Sequence, residues 1–279
     1  MILNLDQKFK PISGAEISFE SFIFNGGEPH IRISNFDIAD PVYITHRINS
    51  FNDLGLLCVA VDALKRMGAK KLHLYAPYFP GARQDRVMVE GESLTVKVYA
   101  DLINRLELES ITIIDPHSDV TPALLNNCMI IQNHQFIKQV LEHLPKDIIL
   151  ISPDAGASKK IFKLATALGI PNVIECGKKR DLASGQLSGF SVPIEDMGDK
   201  SCLIVDDICD GGGTFLGLGE ALRQKNSGDL YLAVTHGIFS KGFADLSKIF
   251  HHIYTTNSVK DIDSTEYVTQ ISHRHGSVS

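Results

Sequence analysis

Two adjacent carboxylates, Asp206 and Asp207, stand between an apolar run, Cys202-Leu-Ile-Val205, and a glycine loop, Asp210-Gly-Gly-Gly-Thr214. The run Leu203-Ile-Val205 is short and wholly apolar, as suits a parallel strand buried on both faces, and the acids then fall at its carboxyl end. Open α/β sheets bind ligands at that end, where paired acids can accept hydrogen bonds from a vicinal diol or share a divalent cation. The three glycines let the backbone approach an anion closely. Thr214 and the pattern Leu216, Leu218, Ala221, Leu222 open a helix whose positive end favours phosphate. Diol plus phosphate reads as a ribose phosphate. No lysine follows the glycines, so this is not a Walker loop, and the dinucleotide pattern G-x-G-x-x-G is missing. An ordinary strand-to-helix turn is the alternative.

Three further constellations carry charge suited to nucleotide chemistry. In Pro77-Tyr-Phe-Pro-Gly-Ala-Arg-Gln-Asp-Arg86, Arg83 can grip phosphate in fork geometry, Gln84 can bond a base or ribose, and Asp85 can orient either arginine. A purine could stack near Tyr78 and Phe79. His117, two residues after Asp115, and Asp154, in Ser152-Pro-Asp-Ala-Gly156, follow two other apolar runs. They can serve Mg²⁺, which takes one or two protein ligands beside phosphate oxygens and waters. Lys178-Lys-Arg180 begins a segment to about Asp199 that reads as a mobile lid or a short hairpin. Cations on a closing loop neutralise charge developing on a transferring phosphoryl group. The plainer readings are solvated charged loops and a structural histidine.

These residues need elements to position them. Short apolar runs near 42–45, 72–76, 111–114, 148–152, 172–175, 202–205, 230–235 and 250–255 read as strands. Amphipathic stretches at 53–67, 93–106, 135–144, 156–168 and 213–225 read as helices between them. The alternation predicts an α/β protein with mainly parallel sheets flanked by helices. Its halves share strand-loop-helix order, so two domains are expected, 1–145 and 146–279, meeting at the polar, proline-containing stretch 142–147.

Composition narrows the class. The 279 residues, 44% apolar and 22% charged, suit a globular chain with a sizeable core. No run is long enough to span a membrane, the N-terminus lacks signal-peptide character, and a cytoplasmic location is expected. Five scattered cysteines read as reduced buried thiols, and a net charge of −6 argues against broad nucleic-acid binding.

Phe24-Asn-Gly-Gly-Glu28, the Pro77 to Arg86 loop, Asp115-Pro-His117, Ser152 to Gly156, Lys178-Lys-Arg180, Val205 to Thr214 and Thr235-His-Gly-Ile-Phe239 occur in one order. In that order they resemble the ribose-phosphate pyrophosphokinases. The likeness spans roughly residues 18–260, and the string Pro-Tyr-Phe-Pro-x-Ala-Arg-Gln-Asp-Arg is its most specific part. The resemblance implies two tandem domains like type I phosphoribosyltransferases, the first on the ATP side and the second on the ribose 5-phosphate side. The implied reaction is transfer of the β,γ-diphosphate of ATP to the 1-hydroxyl of ribose 5-phosphate. It assigns ATP binding to Arg83, Gln84 and Asp85, with Phe24 and Glu28 from a neighbouring subunit of a homo-oligomer. Mg²⁺ falls to His117 and Asp154, and catalysis to Lys178 and Arg180. Ribose 5-phosphate falls to Arg180, Asp206, Asp207, Asp210, Gly211, Gly212, Gly213 and Thr214. Gly26 stands where the family usually has Asp, and Gly211 where it usually has Thr. A phosphoribosyltransferase and a catalytically impaired regulatory paralogue are the alternatives.

Overall fold

The computed structural model describes residues 1–34, 41–180 and 187–273, without the side chains of residues 179, 180, 187 and 188. The chain forms two compact units. The first is Met1–Gln132 joined by Ser272 and His273, and the second is Asn133–Ile271.

The first unit runs β1 (Ile2–Asn4), β2 (Phe19–Ile23), β3 (Pro29–Ile33), β4 (Val42–Thr45), α1 (Phe51–Arg66), β5 (Leu72–Tyr75), α2 (Thr95–Asn104), β6 (Ser110–Ile114), α3 (Val120–Leu124) and β7 (Cys128–Ile131). Its sheet has the order β1-β4-β5-β6-β7 with every pair parallel. The loops after β4, β5 and β6 therefore emerge at one edge. β2 and β3 form a separate antiparallel hairpin. Helix α1 starts where Ser50 Oγ accepts the Asp53 N–H at 3.2 Å and buries Leu54, Leu57, Val61 and Leu64 against the sheet.

The second unit runs α4 (His134–Leu141), β8 (Ile149–Ser152), α5 (Ala155–Leu168), β9 (Val173–Glu175), β10 (Gly177–Arg180), β11 (Leu187–Ser191), β12 (Cys202–Cys209), α6 (Gly213–Arg223), β13 (Leu230–Gly237), α7 (Leu246–Ile249), β14 (His252–Thr256) and β15 (Val268–Ile271). Its parallel sheet has the order β15-β14-β13-β12-β8-β9. From β8 the chain crosses through α5 to β9 on one side. From β12 it crosses through α6 to β13 on the other, so the winding reverses between β8 and β12. At such a reversal the loops diverge and leave a crevice at the carboxyl ends of the strands.

Helix α4 lies in this second unit, because Phe136, Ile137 and Val140 share a core with Leu150, Ile161, Leu203 and Tyr231. The compact division thus falls before α4, whereas the polar stretch 142–147 lies after it. The segment after Gly177 is a hairpin, β10 paired antiparallel with β11 and bulged between Lys179 and Arg180.

Candidate functional site

At the end of β8, Asp154 caps α5: its Oδ1 accepts the Ala157 N–H at 3.1 Å. Ser152 Oγ donates to the Asp154 carbonyl at 2.9 Å, which fixes the turn. Asp154 Oδ2 accepts from Lys178 Nζ at 2.7 Å, so the lysine of the β10–β11 hairpin reaches the carboxyl end of β8. Burial raises the Asp154 carboxyl, but the Lys178 hydrogen bond and charge, with the N–H groups of Ala157 and Gly156, bring it below the usual carboxylate value. Asp154 is ionised.

On neighbouring β12 the strand continues past the apolar run through Asp206 and Asp207 to Cys209, four residues beyond the expected end at Val205. The reason lies next door. β13 stays paired with β12 as far as Cys209↔Gly237, whereas the pairing with β8 stops at Ile204↔Ile151. The acids therefore stand on a strand held along one edge only. The Asp207 N–H donates to Asp206 Oδ1 at 2.9 Å. Burial, then the adjacent Asp207 and more weakly Asp154, push the Asp206 carboxyl well above the usual range. Asp206 thus feels both Asp207 and Asp154, and Lys178 is the counter-charge of Asp154.

Beyond Cys209 the chain turns through Asp210 and the glycines. Gly212 has φ +78°, a left-handed conformation that favours glycine, and a β-carbon there would lie 3.1 Å from Leu246 Cδ2. It precedes α6 without a side-chain cap. Phe215 and Leu216 N–H donate to the Gly212 carbonyl at 3.0 Å, whereas the N–H groups of Gly213 and Thr214 have no acceptor within the helix, which is the arrangement that receives an anion. Gly211 needs no special backbone; a β-carbon there would sit 3.6 Å from Lys241 Cδ, an ordinary contact. The turn after β13 is bound to this loop: Ile238 and Phe239 donate to the Cys209 carbonyl at 2.9 and 3.1 Å, and Ser240 to that of Asp210 at 3.2 Å.

In the first unit, the loop after β5 is packed rather than solvated. Phe79, Ala82 and Asp85 are buried, while Arg83 and Gln84 are exposed. Gly81, at φ +71°, turns beneath them, and a β-carbon there would meet Thr95 Cγ2 and Val96 N at 3.1 Å. Phe79 belongs to the core, so it cannot stack a base; Tyr78 is half-buried. Asp85 Oδ1 accepts from Arg86 Nε at 3.0 Å. Burial raises the Asp85 carboxyl, but the Ser118 hydrogen bond, Arg86 and nearby His117 lower it overall. Asp85 therefore ties the β5 loop to the β6 loop that carries His117. There Asp115, buried at φ +38°, swings the chain off the strand.

The β2–β3 turn presents Phe24 and Glu28 to solvent, Phe24 being 52% exposed and edge-on to Phe22. A β-carbon on Gly26 would fall 2.5 Å from Glu28 Oε2, so the glutamate folds over the glycine.

The structure thus gathers Asp154, Lys178, Asp206 and Asp207 at one crevice with the glycine loop following, and Arg83, Gln84, Asp85 and His117 at one sheet edge of the other unit. The Arg180 side chain lies outside the described residues. The Lys178–Asp154 and Asp85–Ser118 contacts join sequence-distant segments and leave no local trace. Among the described residues no cluster of three His, Cys, Asp or Glu could hold a metal by itself. Asp154, whose carboxyl is held below the usual value, nevertheless supplies a hard oxygen that fits Mg²⁺ bound chiefly through phosphates and water. Among the described residues no helix is long and apolar enough to cross a membrane.

Comparison with known proteins finds likenesses over most of the chain. Residues 16–106 match the N-terminal domain of ribose phosphate pyrophosphokinase and residues 124–268 the phosphoribosyl transferase domain. The ribose-phosphate pyrophosphokinase of Mycoplasma pneumoniae is 34% identical over 222 residues, covering 78% of this chain and 67% of that protein. The one from Thermococcus kodakarensis is 29% identical over 239 residues, covering 85% and 84%. The crystal structure of phosphoribosylpyrophosphate synthetase from Mycobacterium smegmatis superposes with a TM-score of 0.81 at 24% identity, covering 98% of this chain and 94% of that one.

Proposed function

Because this chain belongs to the ribose-phosphate pyrophosphokinase family, we propose that it transfers the β,γ-diphosphate of ATP to the 1-hydroxyl of ribose 5-phosphate, releasing AMP. The observation that carries this reading is the placement of the Lys178 ammonium 2.7 Å from Asp154, where β8 and β12 part and Asp206 and Asp207 lead into the glycine loop. A cation, paired acids and an anion-receiving loop at one crevice are what sugar-phosphate binding and diphosphate transfer each require.

In this scheme Asp206 and Asp207 accept hydrogen bonds from the ribose hydroxyls, and residues 210–214 receive the 5-phosphate through backbone N–H groups and the Thr214 hydroxyl. Arg83 and Gln84, exposed on the rigid β5 loop, grip ATP, with Asp85 keeping that loop in place. Phe24 and Glu28, on the exposed hairpin, complete the nucleotide site of a neighbouring subunit. Mg²⁺ would neutralise diphosphate charge; Asp154 in the second unit and His117 in the first are each candidate ligands for such an ion. Lys178 exchanges Asp154 for the diphosphate and, with Arg180, offsets the charge that develops on the transferring group. No covalent nucleophile is needed, since this chemistry is positioning and charge neutralisation.

The test is incubation of the purified chain with Mg²⁺, ATP and ribose 5-phosphate, with AMP followed by chromatography. AMP that forms only with the sugar phosphate is expected. Intact ATP in the presence of folded protein would overturn the reading.

A further inference from the structure

Helix α6 has two interior glycines, Gly217 and Gly219, each costing a helix roughly 0.5–1 kcal/mol relative to alanine. Close approach accounts for both. A β-carbon on Gly219 would lie 2.3 Å from Ile249 Cγ2, within the core. A β-carbon on Gly217 would fall 2.7 Å from Cε2 and 3.2 Å from Cδ2 of Phe190, so the edge of that ring rests on bare helix backbone.

Phe190 is on β11, where it is the register partner of Lys178 on β10. Directly opposed residues of an antiparallel pair share a face. The ribbon has only two strands, and such a ribbon is marginal without packing. Phe190 and Val192 supply that packing, against the cluster around Phe215 and Leu218 of α6. The helix that receives the ring is also the helix that follows the glycine loop.

We propose that Phe190, seated on Gly217, is a positioning residue that sets Lys178 relative to the glycine loop, so that the lysine meets a diphosphate transferred to the sugar bound there. This rests on the role of Lys178 in the function proposed above. The glycine is what permits the seat: any side chain at position 217 lifts the ring and moves its register partner.

The experiment compares kcat and the KM for ribose 5-phosphate in wild type, Phe190→Ala, Gly217→Ala, Lys178→Ala and the Phe190→Ala/Lys178→Ala double variant, with calorimetric binding of ribose 5-phosphate as a check on the loop. Phe190→Ala is expected to lower kcat by about 10- to 100-fold, the scale of an ångström-sized misplacement, with KM and sugar-phosphate binding within about twofold. Gly217→Ala gains helix propensity while displacing the Phe190 ring, so Tm is expected within about 2–4 °C of wild type while kcat falls with KM unchanged, a split that loss of structure alone would not produce. In the double variant Phe190→Ala adds nothing to the loss from Lys178→Ala, as for residues acting as one unit. Independent, multiplying losses would overturn the proposal, as would unchanged kcat in both Phe190→Ala and Gly217→Ala. A harmless Lys178→Ala would overturn it together with the assigned role of that lysine. Wild type that forms no AMP yet binds ribose 5-phosphate would sink the diphosphate reading and the proposal with it. Should Phe190→Ala fail to fold, Gly217→Ala decides the question from the helix side.

Discussion

Lys178 and Asp154 are 24 residues apart in sequence, yet Nζ and Oδ2 are 2.7 Å apart. Both side chains are partly exposed, at 28% and 30%. The pair therefore holds the lysine proposed to act in catalysis in a defined place without binding it so tightly that it cannot move.

Lys178→Ala should lower kcat by at least ~100-fold, the usual cost of losing a charge-stabilising donor. A half-exposed ion pair contributes about 0–1 kcal/mol, so Tm at neutral pH should barely change. The acid limb should change. A carboxyl lowered on folding gives stability that is present above its unfolded value of 3.8 and lost as pH falls through the folded value. Wild type and Lys178→Ala should therefore converge below that window, as followed by circular dichroism against pH.

Asp206→Asn should trade function for stability. A carboxyl raised on folding binds more protons in the folded chain, so wild-type stability falls as pH rises from 3.8 through the folded value. The amide removes that penalty. Tm at pH 7 should rise by roughly 2–4 °C, about 1 kcal/mol, with the gain vanishing towards pH 4, while calorimetry shows weakened ribose 5-phosphate binding.

Two neighbouring glycines should answer differently. Gly212→Ala forces a β-carbon into a left-handed backbone costing ~1–2 kcal/mol and onto Leu246, so both Tm and sugar-phosphate affinity should fall. Gly211→Thr meets only an ordinary 3.6 Å contact with Lys241. It should leave stability within ~0.5 kcal/mol of wild type and lower the KM for ribose 5-phosphate by supplying a hydroxyl donor.

Arg83→Ala should raise the KM for ATP by about 10- to 100-fold, equivalent to a charged hydrogen bond of ~1.5–3 kcal/mol, and leave that for ribose 5-phosphate unchanged. Its loop is anchored by buried Phe79, Ala82 and Asp85, so the fold should persist. Separate titration of the two substrates in the AMP assay checks this.

Sequence alone gave the parallel strands because runs such as Leu203-Ile-Val205 are buried on both faces and need nothing else to declare them. It stopped β12 at Val205 because Asp206 and Asp207 break that run. Only the continued pairing with β13 carries the strand onward. The ribbon β10–β11 has little apolar alternation, and β3 alternates Ile31 and Ile33 with His30 and Arg32 over only five residues, so the pairing of these hairpins was not legible beyond the glycines and charges that hint at one. Phe79 read as a surface aromatic, yet the loop between Pro77 and Pro80 sends its ring into the core. The turn ahead of α6 was legible because its motif, Asp210 to Thr214, is local, whereas the pairing of Lys178 with Asp154 is made by contact and was not. The one local clue to the Phe190 seat was the pair of glycines inside the α6 pattern.

The unequal pairing of β12 and β10 divides the crevice by timescale. The backbone that carries Asp206 and Asp207 is paired with β13 as far as Cys209, so the ladder amides of β12 should exchange with deuterium only in near-global opening. Lys178 rides a two-stranded, bulged ribbon whose amides should exchange through local fluctuations. The sugar phosphate would then meet a stationary surface while the ammonium alone travels, and occupancy of the crevice should slow exchange in residues 177–180 far more than in residues 202–209.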